Sequence, residues 1–155
     1  MASLKCSHCG EGIHYHGEPN GIELTAISQE MWNTFSSTDK PIICYLLDGN
    51  DDYFLIWRCP ECGCLHAFEG YSPKVWHAYF FTDTAPDMTS ARKYLIFSDD
   101  LFYDISEVNM TASVFWEKAD YDSDNFFYAL INENGIVTYR DEACTEELKR
   151  FAVIG

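Results

Sequence analysis

The sequence predicts an α+β protein, and three observations carry that prediction. Two cysteine pairs, Cys6/Cys9 and Cys59/Cys62, each spaced by three and followed by glycine, mark two tight turns able to share one metal ion. Short runs of β-branched and aromatic residues, bounded by Asp, Asn and Gly, read as strands. Two stretches, from Ile22 to Phe35 and from Asp141 onward, place apolar residues near a helical period. The expected architecture is a metal-clipped module with an inserted helix, continuing into an antiparallel sheet with a C-terminal helix. The module spans residues 1–82 and the β-rich α+β region 91–155, an arrangement compatible with one continuous domain.

Residues 1–20 are turn-rich, with Gly10, Gly12, Gly17 and Pro19. Ile22, Ala26, Ile27, Met31 and Phe35 then follow a helical period, although Ser28 with Met31 three residues on makes no capping box. Lys40-Pro41 ends that segment. Residues 42–47, which include Cys44, read as a buried strand, and 48–52 as a turn. Tyr53 to Arg58 is a second strand that delivers the chain into Cys59. Leu65 to Tyr71 returns as another strand, and Val75 to Phe81 is extended and aromatic. Thr82 to Ser90, with Pro86, has the composition of a linker. Tyr94–Phe97 and Leu101–Ile105 follow as a strand pair, and Phe126–Ile131 and Ile136–Tyr139 as another across Asn132-Glu133-Asn134-Gly135. Asn-Gly marks a tight turn because both residues tolerate positive φ. In the tail, Cys144, Leu148 and Phe151 at i, i+4 and i+7 suggest a short amphipathic helix with Asp141 as its cap.

Composition narrows the function. The 155 residues are 47% hydrophobic and 16% aromatic, enough to build a core. No apolar run reaches the length of a membrane helix, so no membrane association is expected. Seven cysteines, an odd count, with no apolar leader after Met1, point to a reducing cytoplasm. The formal charge is −15, and the basic residues never cluster. Such a charge is expected to repel nucleic acid; it reads either as a solubility device or as a surface that attracts basic proteins.

Two cysteine turns brought together make a closed tetrahedral site of four thiolates, the arrangement suited to zinc. A thioredoxin-like redox pair opens a helix after a strand, whereas Gly10, Pro60 and Gly63 argue for turns here. At Cys6-Ser7-His8-Cys9-Gly10 and Cys59-Pro60-Glu61-Cys62-Gly63 the sequence resembles the zinc-ribbon class, whose ligand turns read CxxCG and CPxCG. The resemblance covers the two turns and the strands around Cys59. It implies a structural zinc on Cys6, Cys9, Cys59 and Cys62, while the same turns also hold iron in rubredoxin-like sites. The 49 residues between Cys9 and Cys59 imply an insertion. His8, Cys64 and His66 lie close enough in sequence to replace one ligand, and Cys44 and Cys144 read as core.

The competing chemical feature is His14-Tyr15-His16, whose two imidazoles share one face of an extended segment, with Glu11 or Glu18 near by. A catalytic zinc needs three protein ligands and an open position, and no HExxH or comparable spacing supplies them. His77 reads as a strand side chain. No catalytic motif for acyl or phosphoryl transfer is present. Residues 120–124 alternate acids but lack the glycine and terminal glutamate of a calcium loop. The expected function is therefore that of a non-enzymatic, acidic, zinc-binding interaction protein. An immunity-type inhibitor of a basic toxin or a regulator of a nucleic-acid enzyme would suit this chemistry. The rival readings are a metal-dependent enzyme using His14 and His16, and a nucleic-acid-binding ribbon, which the charge disfavours.

Overall fold

The computed structural model describes residues 3–14, 22–36, 53–68, 75–98 and 126–154. Ten strands and one helix occur among them: β1 (Ser3–Lys5), β2 (Gly12–His14), β3 (Ile22–Ser28), α1 (Gln29–Ser36), β4 (Tyr53–Arg58), β5 (Leu65–Phe68), β6 (Val75–Phe81), β7 (Arg92–Ser98), β8 (Phe126–Ile131), β9 (Gly135–Tyr139) and β10 (Glu147–Val153). Strands β3 to β10 close into a barrel in the order β10-β6-β5-β4-β3-β7-β8-β9, and every neighbouring pair is antiparallel. Two four-stranded meanders, β3 to β6 and β7 to β10, are stitched along two seams, β3 with β7 and β6 with β10. Closure leaves no sheet edge within the barrel. The β1–β2 hairpin forms a separate two-stranded sheet.

This architecture overturns the predicted α+β class, the ribbon module with an inserted helix and the C-terminal helix alike. Ile22 to Ser28 is strand, and the helix begins only at Gln29. Both faces of β3 are used: Ala26 faces the barrel interior, and Thr25 and Ile27 are buried on the other side. A strand buried on both faces loses its polar alternation, so a helical period can be read into it. Ser28 starts the helix, its Oγ accepting the Met31 N–H at 3.1 Å. At the other end, Glu147–Val153 supplies the strand that closes the barrel against β6 and β9. That pairing satisfies two open strand edges, which a short helix would leave bare. Residues 82–90 connect β6 to β7 within the same barrel, with the Thr82 N–H on the Arg150 carbonyl. The strands predicted at 42–47 and 101–105, Cys44, His16 and the acidic run at 120–124 lie outside the described residues.

The core has two layers. One cluster draws a residue from every barrel strand: Ala26, Ile56, Ala67, Tyr79, Ile96, Ala129, Ile136 and Phe151. That is the barrel interior, where small and large side chains share a narrow space. The second cluster lies outside the barrel wall and includes Leu55, Trp57, Phe68, Ala78, Leu95 and Phe97. It is roofed by Trp32 of α1 and by Cys6 and Ile13 of the N-terminal segment, all nearly inaccessible. Burying Ile13 contributes about 2 kcal/mol of apolar transfer, which holds the β1–β2 hairpin against the barrel.

The β8–β9 turn forms where the Asn-Gly signal predicts it, for a different reason. Neither Asn134 nor Gly135 has positive φ. The turn is held by the Asn132 side chain, whose Oδ1 accepts the N–H groups of Asn134 and Gly135 at 2.8 and 3.1 Å. Glycine is required at 135 for space, because a Cβ there would meet the Phe151 carbonyl at 2.5 Å and Pro86 at 2.7 Å.

Candidate metal centre

The two cysteine turns fold alike. In the first, the Gly10 N–H donates to the Cys6 carbonyl at 3.0 Å and the Cys6 N–H to the Glu11 carbonyl at 2.8 Å. In the second, the Gly63 N–H donates to the Cys59 carbonyl at 3.0 Å and the Cys59 N–H to the Cys64 carbonyl at 2.9 Å. Gly10 and Gly63 take the left-handed φ values of +81° and +79° that end each turn. Glycine adopts that region without penalty, and other residues do not. The first turn links β1 to β2, and the second is the hairpin turn from β4 to β5, so a rigid barrel strand feeds each side of it.

The four sulfurs meet. Cys6 Sγ lies 3.6 Å from Cys62 Sγ, and Cys9 Sγ 3.6 Å from Cys59 Sγ, with all four within 4.8 Å of one another. A tetrahedral ion with bonds of about 2.3 Å to sulfur spaces its ligands about 3.8 Å apart, so the donor set fits such an ion. The residues present could therefore hold a metal ion. Among the described residues the cysteines are free thiols. Burial pushes the Cys6 thiol up, but N–H groups of Cys9 and His8 and the neighbouring thiols hydrogen-bond its sulfur and bring it down to about 7. Burial and neighbouring sulfurs push Cys62 up to about 12. One thiolate forms readily, and its charge then opposes ionisation of the next unless a cation joins them.

Two contacts clamp the first turn to the outer barrel wall besides the sulfurs themselves, one through Ser7 and one through His8. His66 on β5 is fully buried beside Trp57 and Ala78. Its Nε2 accepts the Ser7 N–H at 3.1 Å and its Nδ1 faces the Trp57 carbonyl at 3.3 Å. The two contacts together require the tautomer that carries its proton on Nδ1. Burial lowers its pKa and keeps it neutral. Cys64, also fully buried, has its sulfur 3.7 Å from His66 Nε2, and burial holds its thiol up at about 12. Cys6, Cys64 and His66 form a second group of potential ligands. The lone pair of His66 Nε2 is already engaged by Ser7, however. His8 lies on the ring of Phe80, with centroids 3.7 Å apart and planes 9° from parallel.

Sequence reasoning missed two basic neighbours. Lys5 and Arg58 each precede the first cysteine of a turn and fold over that turn's glycine. A Cβ at Gly10 would lie 3.9 Å from Lys5 Cε, and one at Gly63 3.8 Å from Arg58 Nε. The repeated order of a basic residue, CxxC and glycine is visible in the sequence and was the available signal. It sets two of the chain's 10 Lys and Arg residues beside its densest cluster of ionisable sulfur. His14 lies on β2, and His77 is a half-buried residue of β6 at the far end of the barrel. Cys144 is half-buried in the β9–β10 connection, with φ +58°, not on a helix.

A family model described as a domain of unknown function (DUF8617) matches residues 2–88, a stretch that contains both cysteine turns and strands β1 to β6. No curated protein and no solved structure matches the chain.

Proposed function

We propose that this chain, which belongs to the DUF8617 family, is a non-enzymatic, zinc-clasped β-barrel that binds a basic protein partner in the cytoplasm. The observation that carries the zinc-clasp reading is the donor set. Four thiol sulfurs within 4.8 Å of one another fill every position of a tetrahedral ion, leaving none for water or substrate. Such an ion would be structural, tying the N-terminal hairpin to the β4–β5 turn. Zinc is favoured over iron because a closed four-sulfur site whose task is structural needs no redox chemistry.

The partner reading rests on charge. At −15 the protein steers toward cationic surfaces and away from nucleic acid. An immunity-type inhibitor of a basic toxin and a regulator of a nucleic-acid enzyme remain the two partner classes with that chemistry. Elemental analysis and X-ray absorption at the zinc edge test the site, with one zinc per chain and four sulfurs at about 2.3 Å expected. A nitrogen ligand, or well-folded protein without metal, would overturn it. For the partner, capture from cytoplasmic extract at low and high salt should retain basic proteins only at low salt. Retention of nucleic acid instead would replace this reading with a nucleic-acid-binding one.

A further inference from the structure

At the end of the barrel opposite the metal centre the interior opens into a cavity of about 290 Å³. The cysteine turn joins β4 to β5 at one end of the barrel. The cavity lies where β4 and β7 begin and β8 ends, so it belongs to the other. Its walls are the rings of Phe54, Tyr79 and Tyr94, and its floor is kept open by the methyl group of Ala67. The rings are locked in place: Phe54 and Tyr94 pack edge to face at 5.1 Å, and the Tyr79 hydroxyl donates across the mouth to the Asn132 carbonyl at 3.0 Å. Tyr79 and Tyr94 are 2% and 5% exposed, so these walls are core side chains that leave a space between them.

The rim gives the space its polarity. Arg92 lines it, with its guanidinium 5.7 Å from the Tyr94 ring centroid and a surface contact of 3.4 Å to Glu30. That ion pair, one of the interactions Arg92 makes, joins side chains that are 34% and 81% exposed, a geometry worth little in water. His77 adds an imidazole near Tyr79, their ring centroids 6.0 Å apart. Among the described residues of the lining Glu133 is the one carboxylate, and its charge acts on Tyr79.

From this arrangement we propose that the barrel mouth binds a small flat aromatic molecule carrying a single carboxylate. The ring would enter between Phe54, Tyr79 and Tyr94, where aromatic faces and edges are already presented. The carboxylate would take the planar fork of Arg92, which matches it with two parallel hydrogen bonds. Glu133 disfavours a second negative charge on the ligand. The volume is at the small end for ligand pockets, about 300 Å³ upward, and suits one or two rings. Mouths of β-barrels are common ligand sites for the same geometric reason.

The test uses the full, metal-loaded chain and three isosteric probes: benzoate, benzamide and benzamidine. Amide resonances of Tyr79, Arg92, Tyr94 and Asn132 are followed by NMR during each titration. Benzoate is expected to shift them saturably, about tenfold more tightly than the other two probes, a difference of about 1.4 kcal/mol. Arg92→Gln should erase that preference and leave benzoate no better than benzamide, with the metal content unchanged. Ala67→Leu should block all three probes by filling the floor. Absence of saturable benzoate shifts at these residues, equal or tighter binding of benzamidine, or a preference that survives Arg92→Gln would each overturn the proposal. Because Arg92 is on the rim, that variant decides the matter even if Ala67→Leu fails to fold.

Discussion

Gly10 and Gly63 show how a single residue type sets the metal turns. Their left-handed φ, and not lack of room, is the reason for glycine, since a Cβ would meet nothing closer than 3.8 Å at either position. Alanine at either should cost about 1 kcal/mol through backbone strain alone. Gly12→Ala, where a Cβ would find open space, should be close to neutral. Urea melts of the three metal-loaded variants measure this, and equal effects at all three would refute it. Gly135 is the contrasting case. There the obstacle is the Phe151 carbonyl at 2.5 Å, and backbone cannot swing aside as a side chain can. Cysteine replacements separate in the same way. Cys9→Ser and Cys59→Ser should abolish stoichiometric metal. Cys64→Ser should keep it and lose about 1 to 3 kcal/mol for a hydroxyl in an apolar, fully buried position. Metal analysis beside thermal melts distinguishes the two classes, and loss of metal from Cys64→Ser would reassign the ligands. Lys5→Met with Arg58→Met should weaken metal binding severalfold, with the deficit shrinking as salt rises.

Among elements, the β9–β10 connection replaces the predicted helix by a turn built on one carboxylate. Asp141 accepts the backbone N–H groups of Thr145 and Glu146 and the Thr145 hydroxyl. The Arg140 N–H closes the loop on the Glu146 carbonyl. The Thr145 hydroxyl, with the N–H groups of Glu146 and Thr145, lowers the Asp141 carboxyl to about 2. A carboxyl depressed in the folded state stabilises fully above its ordinary value of about 4. That contribution is lost as pH falls from there through about 2. The stability difference between the parent and Asp141→Asn should therefore be constant from neutral pH down to about 5 and shrink below it. Thermal melts across that range test this, and a difference that persists unchanged at pH 2 would contradict it.

At the scale of the molecule, the barrel closes without β1 and β2, whereas the outer core does not. Removing metal with a chelator should release the N-terminal hairpin first, exposing Cys6, Ile13 and the outer wall around Trp57. Hydrogen exchange should then show residues 3–14 losing protection while β3 to β10 retain theirs, with a lower melting temperature for the whole. Simultaneous loss of protection in the barrel strands would mean that the metal holds the entire fold. The ends of the barrel are chemically distinct, sulfur at one and aromatic rings with a guanidinium at the other. Ligand at the mouth and metal at the turns should therefore act nearly independently.

The sequence by itself determined the two cysteine turns, the strands from Tyr53 to Arg58, Val75 to Phe81 and Phe126 to Tyr139, and the position of the hairpin at Asn132 to Gly135. These are local decisions: a CxxCG turn or an Asn-bearing hairpin is encoded within about five residues, by φ preferences and short-range hydrogen bonds. Only the tertiary structure decided that Ile22–Ser28 and Glu147–Val153 are strands. Each contains apolar residues compatible with either period, and each was settled by the two strand edges it satisfies from both sides. Barrel closure likewise converted His66 from a spare ligand into a buried bracket for Ser7. It also brought Phe54, Tyr79 and Tyr94, far apart in the chain, around one cavity. Pairing between strands tens of residues apart depends on the summed burial of the whole sheet, so no window of sequence carries it.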